Sequence, residues 1–221
     1  DSASLPMPIG ELVSYLWLNQ AFFALVYMWY KDKDILSLIK KGNIAYELCR
    51  PQDLYLMWSS KILGERLSNL SLRCIPVILI ACLLPGLFQL SLETSLLRFI
   101  ISIASLTLSA FLMVSIILLY HIICLFTLDE KGVVNIMMIL TDILSGLVIP
   151  IPFFPNYLQK ISNYLPFRYI SDFPFRLYVG NIPVNSGVEG LLIQFIWIII
   201  IVILGRLLMK LALRKTVVQG G

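Results

Sequence analysis

The sequence is poor in charged residues. Asp, Glu, Lys and Arg make up only 14% of the 221 residues, whereas 59% of the residues are hydrophobic. A soluble domain of this size carries about a quarter charged residues and about half apolar residues. The low charged fraction therefore excludes an ordinary soluble domain and indicates an integral membrane protein.

The chain also lacks the motifs of enzymes that bind metals or nucleotides. The four cysteines form no CxxC pair, so we predict neither a metal site nor a disulfide framework. No GxxxxGK(S/T) phosphate loop is present. The single histidine, His121, has no GxSxG, HExxH or paired-carboxylate motif beside it. We therefore predict no catalytic residue, no metal, no cofactor bound by this chain and no nucleic-acid partner.

Five segments are apolar enough to form, or nearly form, membrane-spanning helices, which need about 20 residues. They are 12–30, 74–90, 98–128, 133–150 and 190–209. The predicted fold class is thus an all-α polytopic membrane protein, with residues 1–221 in a single transmembrane domain. At 1.5 Å per residue the third segment is about 46 Å long, so it must tilt, break or project from the bilayer.

The distribution of Lys and Arg predicts how these segments are oriented, because basic residues accumulate in cytoplasmic connections. If the spans alternate in direction, thirteen Lys and Arg residues fall on one side, in 31–73, in 129–132 and in the basic end of the last span. Only four Lys and Arg residues fall on the other side. We expect those three regions to be cytoplasmic and 151–189 to be external. An odd number of spans places the two termini on opposite sides, so the N-terminus would be external. Without a signal peptide, an external N-terminus is difficult to translocate, so we expect a further first span upstream of residue 1.

The cytoplasmic connection 31–73 has the pattern of three short helices. Asp34 is predicted to cap the first helix, a second is predicted to end before Pro51, and Asp53 is predicted to cap the third. In the third helix, apolar residues recur at helical spacing after Asp53. Two alternatives remain open for this connection: amphipathic helices that lie on the lipid surface, or a docking surface for a cytoplasmic partner.

The external segment begins with an apolar helix end and then contains four prolines among Phe and Tyr residues, at 150, 152, 155 and 166. Non-helical backbone at membrane depth is tolerated only where protein buries it or a cavity hydrates it. The prolines are therefore predicted to divide the segment into fragments that the aromatic side chains keep at the membrane boundary. Such a segment can cap the external end of a pathway. An inert surface loop is the alternative.

Polar residues inside the spans are candidates for a translocation pathway, since an ionisable side chain is costly within a membrane. The strongest is Asp142, and the other candidates are Asn19, Gln20, Asn135 and Ser145. A structural hydrogen bond to a neighbouring helix is the alternative for these residues. Ser102, Ser105 and Ser109 form a stripe of small residues, which we predict to be a face for close helix packing.

Three stretches of the sequence have the features of one known family. They are GNIAYELCRPQDLY at 42–55, SGLVIPIPFFPNYLQKISNYLPFRYISDFPFRLYVG at 145–180, and the last span from Gln194 and Trp197 to the terminal VVQGG. In order and character they resemble the ATP-binding-cassette type-2 permeases of bacterial exporters. The resemblance extends from residue 11 onward. It implies the transmembrane fold of that family, with six spans and both termini cytoplasmic, of which five spans are present here.

The resemblance also implies roles for particular residues. A coupling helix, which sits in a groove of the nucleotide-binding subunit, is expected within 34–51. The ATPase-coupling residues would be Asp34, Ile35, Leu38, Ile39, Lys40, Gly42, Asn43, Ile44, Leu48, Arg50 and Pro51. Short re-entrant or interfacial helices are expected within 150–176. The residues of this outer gate would be Pro150, Pro152, Phe153, Phe154, Pro155, Pro166, Phe167 and Arg168.

The functional hypothesis is a permease subunit of an ATP-driven exporter in the plasma (bacterial inner) membrane. The expected partners are two copies of a cytoplasmic ATPase, which would bind ATP and Mg²⁺, a second identical or paralogous permease, and membrane lipids. The substrate would be a lipophilic or amphipathic drug, peptide, lipid or glycan. The alternatives are a secondary carrier or channel, and a membrane-embedded lipid-modifying enzyme that would have only His121 and Asp142 for catalysis.

The predicted orientation can be tested with a membrane-impermeant amine reagent. Lys160 should react in intact cells, because 151–189 is expected outside. Lys40 should react only after the membrane has been permeabilised, because 31–73 is expected inside. Mass spectrometry of the labelled peptides measures both. Labelling of Lys40 in intact cells would place the coupling segment outside and contradict the assignment.

Overall fold

The computed structural model describes residues 6–27, 32–40, 44–49, 51–91, 95–127 and 132–215. All regular secondary structure in these ranges is helical, which confirms the predicted all-α class. The helices are α1 (Ile9–Ala21), α2 (Phe23–Val26), α3 (Lys33–Lys40), α4 (Ile44–Leu48), α5 (Leu54–Leu83), α6 (Leu96–Thr127), α7 (Val133–Leu144), α8 (Asn156–Tyr164), α9 (Asp172–Tyr178) and α10 (Val184–Lys215).

Within the described residues, three helices are long and apolar enough to cross a membrane, namely α5, α6 and α10. They contain 30, 32 and 32 residues, which corresponds to about 45 to 48 Å. The predicted span 12–30 is divided at Phe22 into α1 and α2. The helix of the predicted span 133–150 ends at Leu144. The number of five spans stays a prediction.

The start of α5 differs from its predicted organisation. Asp53 caps this helix as predicted, because its Oδ1 accepts a hydrogen bond from the amide of Leu56 at 3.1 Å. The sequence predicted a separate span that begins at residue 74. The helix instead continues without a break through Pro76 to Leu83. No glycine or proline lies within residues 65–75, so the two strongest breakers of a helix are absent there. A proline inside a membrane helix is also tolerated.

The residue that caps α3 is Asp32 and not Asp34, so that prediction is wrong. Asp32 Oδ1 accepts hydrogen bonds from the amides of Asp34 and Ile35, at 2.9 and 3.0 Å. A capping side chain binds the amides two or three residues ahead of it, and α3 begins directly after Asp32. Asp34 lies inside the first turn, and its carboxylate binds Lys61 instead.

Helix α6 forms the buried centre of the fold. It contacts α2, α3, α5, α7, α9 and α10, and every residue from Leu112 to Leu118 is buried. By contrast, α5 and α10 expose much of their apolar surface, including Leu79, Leu83 and Leu192. In a membrane protein, surfaces of this kind face lipid tails or another subunit.

The serines of the predicted stripe are buried, but they face different elements, and of the three only Ser105 is hydrogen-bonded to α10 in the described part of the chain. Ser102, Ser105 and Ser109 are all buried. Ser105 Oγ donates a hydrogen bond to Gln194 Oε1 at 3.1 Å. Gln194 Nε2 in turn donates to the carbonyls of Ser105 and Tyr169, at 2.9 and 3.0 Å. Gln194 thus joins α6 and α10 to the outer segment, which also receives a hydrogen bond from Ser109 to the carbonyl of Ile170, while Ser102 lines a cavity.

Two arginines of α5 bind the interrupted region between α1 and α3. Arg73 donates to the carbonyl and the side-chain oxygen of Gln20, at 3.1 and 3.2 Å. Arg66, which is buried, donates to the carbonyls of Ala24, at 3.2 Å, and Tyr27. Carbonyls at the end of a helix have no partner within the helix, so these contacts stabilise the break at 22 and the end of α2.

We expect Gly190→Ala to destabilise the packing of α10 on α9. A Cβ atom at this position would lie 2.1 Å from Cζ of Phe173, which is itself buried. Overpacking of this kind costs about 1–3 kcal/mol, so the melting temperature of the detergent-purified protein should fall. Gly64→Ala is the control, because nothing lies within 4 Å of its Cβ position. Equal melting temperatures of the two variants would contradict this packing.

Candidate functional site

The turn that follows α7 is built around Gly146. Its φ is +79°, a left-handed conformation that glycine adopts without steric cost. A Cβ atom here would also lie 2.9 Å from the Cβ of Asp172. Both the backbone conformation and the close approach of α9 therefore require glycine. The helix of the predicted span ends at this point and does not continue to Pro150.

The carbonyls of residues 145–147 each accept a hydrogen bond from another helix. The carbonyl of residue 145 accepts from the amide of Asp172 at 3.0 Å. The carbonyl of residue 146 accepts from the hydroxyl of Tyr15 at 2.9 Å, and that of residue 147 accepts from Nδ2 of Asn19 at 2.8 Å. An unpaired backbone group surrounded by lipid costs several kcal/mol. Helices α1 and α9 thus supply the partners that make an interruption of α7 possible.

Three of the five predicted pathway residues meet at this turn. Asn19, Asp142 and Ser145 are buried, and Ser145 Oγ donates to the carbonyl of Asp142 at 3.1 Å. The other two lie elsewhere: Gln20 is exposed and accepts a hydrogen bond from an α5 arginine, while Asn135 is half-buried about two turns earlier on α7. The hydrogen bond of Asn19 fits the structural alternative. A pathway role for any of the five stays a prediction.

Asp172 is a buried carboxylate at this turn that the sequence analysis missed. Its Oδ1 accepts from the amide of Ile151 at 3.1 Å, and its Oδ2 pairs with Arg176 at 3.2 Å. Burial raises the pKa of the Asp172 carboxyl, although the nearby Arg176 and Arg168 favour its charged form. A signal was present in the sequence, because an Asp followed four residues later by an Arg can form an ion pair on a helix.

A chain of polar side chains continues from Asp172 to α1. Arg176 Nε donates to Asn181 Oδ1 at 2.8 Å, and Asn181 Nδ2 donates to Glu11 Oε2 at 3.1 Å. The start of α1, the end of α9 and the turn after α7 are therefore joined by contacts that involve charged groups. Such hydrogen bonds are stronger than those between neutral groups, so the three elements form one connected outer assembly.

The proline-rich segment forms four short helical pieces, at 151–153, α8, 166–169 and α9, which confirms that the prolines divide it. The eight predicted gate residues differ in burial. Phe154 and Pro166 are buried, Pro155 is exposed, and Pro150, Pro152, Phe153, Phe167 and Arg168 are partly buried. Burial lowers the pKa of the Arg168 guanidinium. The depth of the segment in a membrane and its gating role stay predictions.

Helix α3 turns its apolar face towards the chain's own core. Ile35, Leu36 and Ile39 are buried, as is Ile44 of α4, and α3 contacts α6. The face that would enter lipid is therefore already covered by the protein, which argues against a helix that lies on the lipid surface.

The other predicted coupling residues lie on the outer side of this segment or outside the described residues. Asp34, Leu48 and Pro51 are exposed, and Leu38 is half-buried. The side chain of Lys40 and the residues Gly42, Asn43 and Arg50 are outside the described part of the chain.

Lys61 of α5 joins α3 to a membrane-spanning helix. Its Nζ lies 3.0 Å from Asp32 Oδ2 and 2.8 Å from Asp34 Oδ2. The hydrogen bond from Lys61, together with its charge, holds the pKa of the exposed Asp34 carboxyl below its usual range. α3 is consequently attached to α5 by ion pairs and to α6 by apolar contacts.

His121 is a packed residue. It is buried within α6, and its Nδ1 lies 2.8 Å from the carbonyl of Ile117, one turn earlier. Among the described residues, no group of three or more His, Cys, Asp or Glu side chains is placed to hold a metal ion.

Comparison with known proteins identifies a family. The model of the family described as ABC-2 family transporter protein matches residues 12–220. No curated protein and no solved structure matches the chain. The matched range covers nearly the whole chain and includes both the α3–α4 segment and the outer assembly.

We expect Tyr15→Phe to destabilise the turn after α7. Among the described residues, the hydroxyl of Tyr15 is the only donor to the carbonyl of Gly146, and a buried group left unpaired costs about 1–3 kcal/mol. The melting temperature should fall. Tyr157→Phe makes the same chemical change at a residue whose side chain is exposed, and it should leave the melting temperature unchanged. A Tyr15→Phe protein as stable as the wild type would show that this hydrogen bond is dispensable.

Proposed function

Because this chain belongs to the ABC-2 transporter family, we propose that it is the permease subunit of an ATP-driven exporter in the plasma (bacterial inner) membrane. ATP and Mg²⁺ would be bound by a separate cytoplasmic ATPase, present in two copies. The permease itself would contribute the pathway and respond to closure of the ATPases. A second permease, identical or paralogous, would complete the assembly.

The attachment of α3 is the observation that carries this proposal. Its inner face is held by α6, and its capping aspartate and Asp34 are held by Lys61 of α5. Its outer side presents Asp34, and the following chain presents Leu48 and Pro51. A segment with one face fixed to two long helices and the other side open can receive a force and pass it to those helices.

The long helices could carry that force across the membrane. α6 contacts both α3 and α9, with Phe99 in its first turn lying against Tyr178 at the end of α9, and its 32 residues make it about 48 Å long. A continuous helix is stiff over this length, so displacement of α3 would shift the position of α9. α9 donates to the turn after α7 through the amide of Asp172. ATPase closure would thereby reach the outer assembly.

The outer assembly is the proposed gate. Asn19, Asp142 and Ser145, which meet at its turn after α7, are the candidates for the pathway, and the eight Pro, Phe and Arg residues predicted from the sequence would form its cover. In the present conformation, the side chain of Asn19 and the hydroxyl of Ser145 bind backbone carbonyls. Opening would exchange these hydrogen bonds for contacts with substrate or water.

A lipophilic or amphipathic substrate is supported by one cavity. It has a volume of about 280 Å³ and lies between α1, α5, α6 and α9. Its lining is mostly apolar and consists of Leu18, Phe22, Ile78, Leu90, Phe99, Ser102, Ile103, Leu106, Pro174, Phe175 and Tyr178. Binding pockets with mostly apolar walls and few polar groups suit apolar ligands.

The proposal is tested by purifying the complex from the native cell in mild detergent and reconstituting it. An ATPase should accompany the chain, and transport should require both that ATPase and ATP. Leu48→Asp should weaken association of the ATPase by about tenfold or more, because burying an unpaired charge at an interface costs several kcal/mol.

Ile161→Asp is the matched control for Leu48→Asp. Leu48 is 46% exposed and Ile161 is 49% exposed, so the chemical change and the starting exposure are alike. Ile161 lies on α8 of the outer segment, and its substitution should leave ATPase association intact. Undiminished association in Leu48→Asp, or transport without any ATPase, would contradict the proposed coupling and favour a secondary carrier or channel.

A further inference from the structure

A second cavity, separate from the one described above, lies between α5, α6 and α10. Its volume is about 440 Å³. The residues that line it include Tyr55, Ser60, Leu108, Phe195, Ile198 and Arg206. Neither the proposed coupling segment nor the outer assembly contributes to it. We refer to it as the α5–α10 crevice.

The polar and apolar lining residues are separated along the crevice. On α10, the lining runs from Phe195 to Arg206, and on α5 it runs from Leu63 to Tyr55. Arg206 lies against Tyr55 and pairs with Asp53. The hydroxyl-bearing residues of α5 and the arginine therefore lie at the same end of the crevice, near the start of α5. The far end is apolar, with Leu108, Phe195 and Ile198.

The length of the crevice matches one leaflet of a bilayer. Arg206 is eleven positions after Phe195 on the continuous helix α10, so the two residues are about 16 Å apart along the helix axis. The hydrocarbon core of a bilayer is about 30 Å thick, so the crevice would extend from one interface to about the midplane. In the proposed orientation, the end at Arg206 is the cytoplasmic one.

The polar end carries both signs of charge. Arg206 NH1 lies 3.2 Å from Asp53 Oδ2, and the two side chains are 47% and 42% exposed. The Arg206 guanidinium also lies 5.3 Å from the centre of the Tyr55 ring. Gly205 makes room for that ring, since a Cβ atom there would lie 2.9 Å from Tyr55 Cε2. Arg206 is therefore held at the mouth of the crevice with its charge accessible.

We propose that the α5–α10 crevice binds a zwitterionic aminophospholipid of the cytoplasmic leaflet, of the phosphatidylethanolamine class. One acyl chain would lie against the apolar end, among Leu108, Phe195 and Ile198. Arg206 would bind the phosphate, a group that the guanidinium matches in charge and geometry. Asp53 would bind the ammonium group. Only the choice of leaflet rests on the proposed orientation, and lipid binding itself does not depend on ATP-driven export.

The proposal is tested by native mass spectrometry of the full-length protein after equilibration with equal amounts of phosphatidylethanolamine and phosphatidylglycerol. The wild type should retain more phosphatidylethanolamine, because phosphatidylglycerol lacks the ammonium group. Arg206→Gln should reduce retention of both lipids by about tenfold, the usual effect of losing a hydrogen bond to a charged group.

Asp53→Asn separates the headgroup contact from the fold. Asparagine caps helices as well as aspartate does, so α5 should remain capped while the negative charge is lost. Retention of phosphatidylethanolamine should fall to the level of phosphatidylglycerol, which should not change. Ser60→Phe would place a large side chain in the crevice and should reduce retention of both lipids, with the melting temperature as a check on folding.

Two substitutions elsewhere on α10 serve as controls. Arg214→Gln and Glu189→Gln remove one charge of each sign from exposed residues that do not line the crevice, and neither should alter lipid retention. Equal retention of the two lipids by the wild type would overturn the proposal. So would an unchanged lipid preference in Asp53→Asn, or an effect of Arg214→Gln as large as that of Arg206→Gln.

Discussion

The end of α7 leaves three successive carbonyls without helical partners, and the outer half of the structure is arranged around the hydrogen bonds that they accept. Tyr15 and Asn19 stand one turn apart on α1 and supply two of the donors, while the backbone of Asp172 supplies the third. In lipid, backbone groups without partners are not tolerated. This requirement joins α1, α7 and α9 into a unit whose parts cannot separate without exposing polar backbone.

The outer unit and the α3–α4 segment are connected through α6. This helix is buried along its middle and contacts both α3 and α9. Serines at 105 and 109 keep its surface narrow where α10 and the outer segment approach. Such packing leaves little room for independent movement. A force applied to α3 would therefore be expected to move the core as a body, as the proposed coupling requires.

Several residues of α3 and α5 show why local patterns predict where a helix forms more reliably than which residues it contacts. The cap at Asp53 was predicted correctly because capping involves residues only three positions apart. Asp32 was overlooked in favour of Asp34, since either can precede the same apolar pattern. Arg66 was counted only as one of the basic residues of 31–73; the structure adds that it is buried and binds two carbonyls of the chain's own backbone. A single sequence contains no record of these contacts, because about forty positions separate Arg66 from the two carbonyls.

The sequence by itself determined the features that depend on composition and neighbouring residues: a membrane protein, helical throughout its described regular structure, punctuated by Gly146 and the prolines. Only the tertiary structure decided which broken backbone groups are paired, which face of α3 is covered, and that Asp172 lies fully buried. The physical reason is that these outcomes depend on contacts between distant parts of the chain, such as Tyr15 with Gly146. Such contacts form only when the helices pack, and no local pattern encodes them.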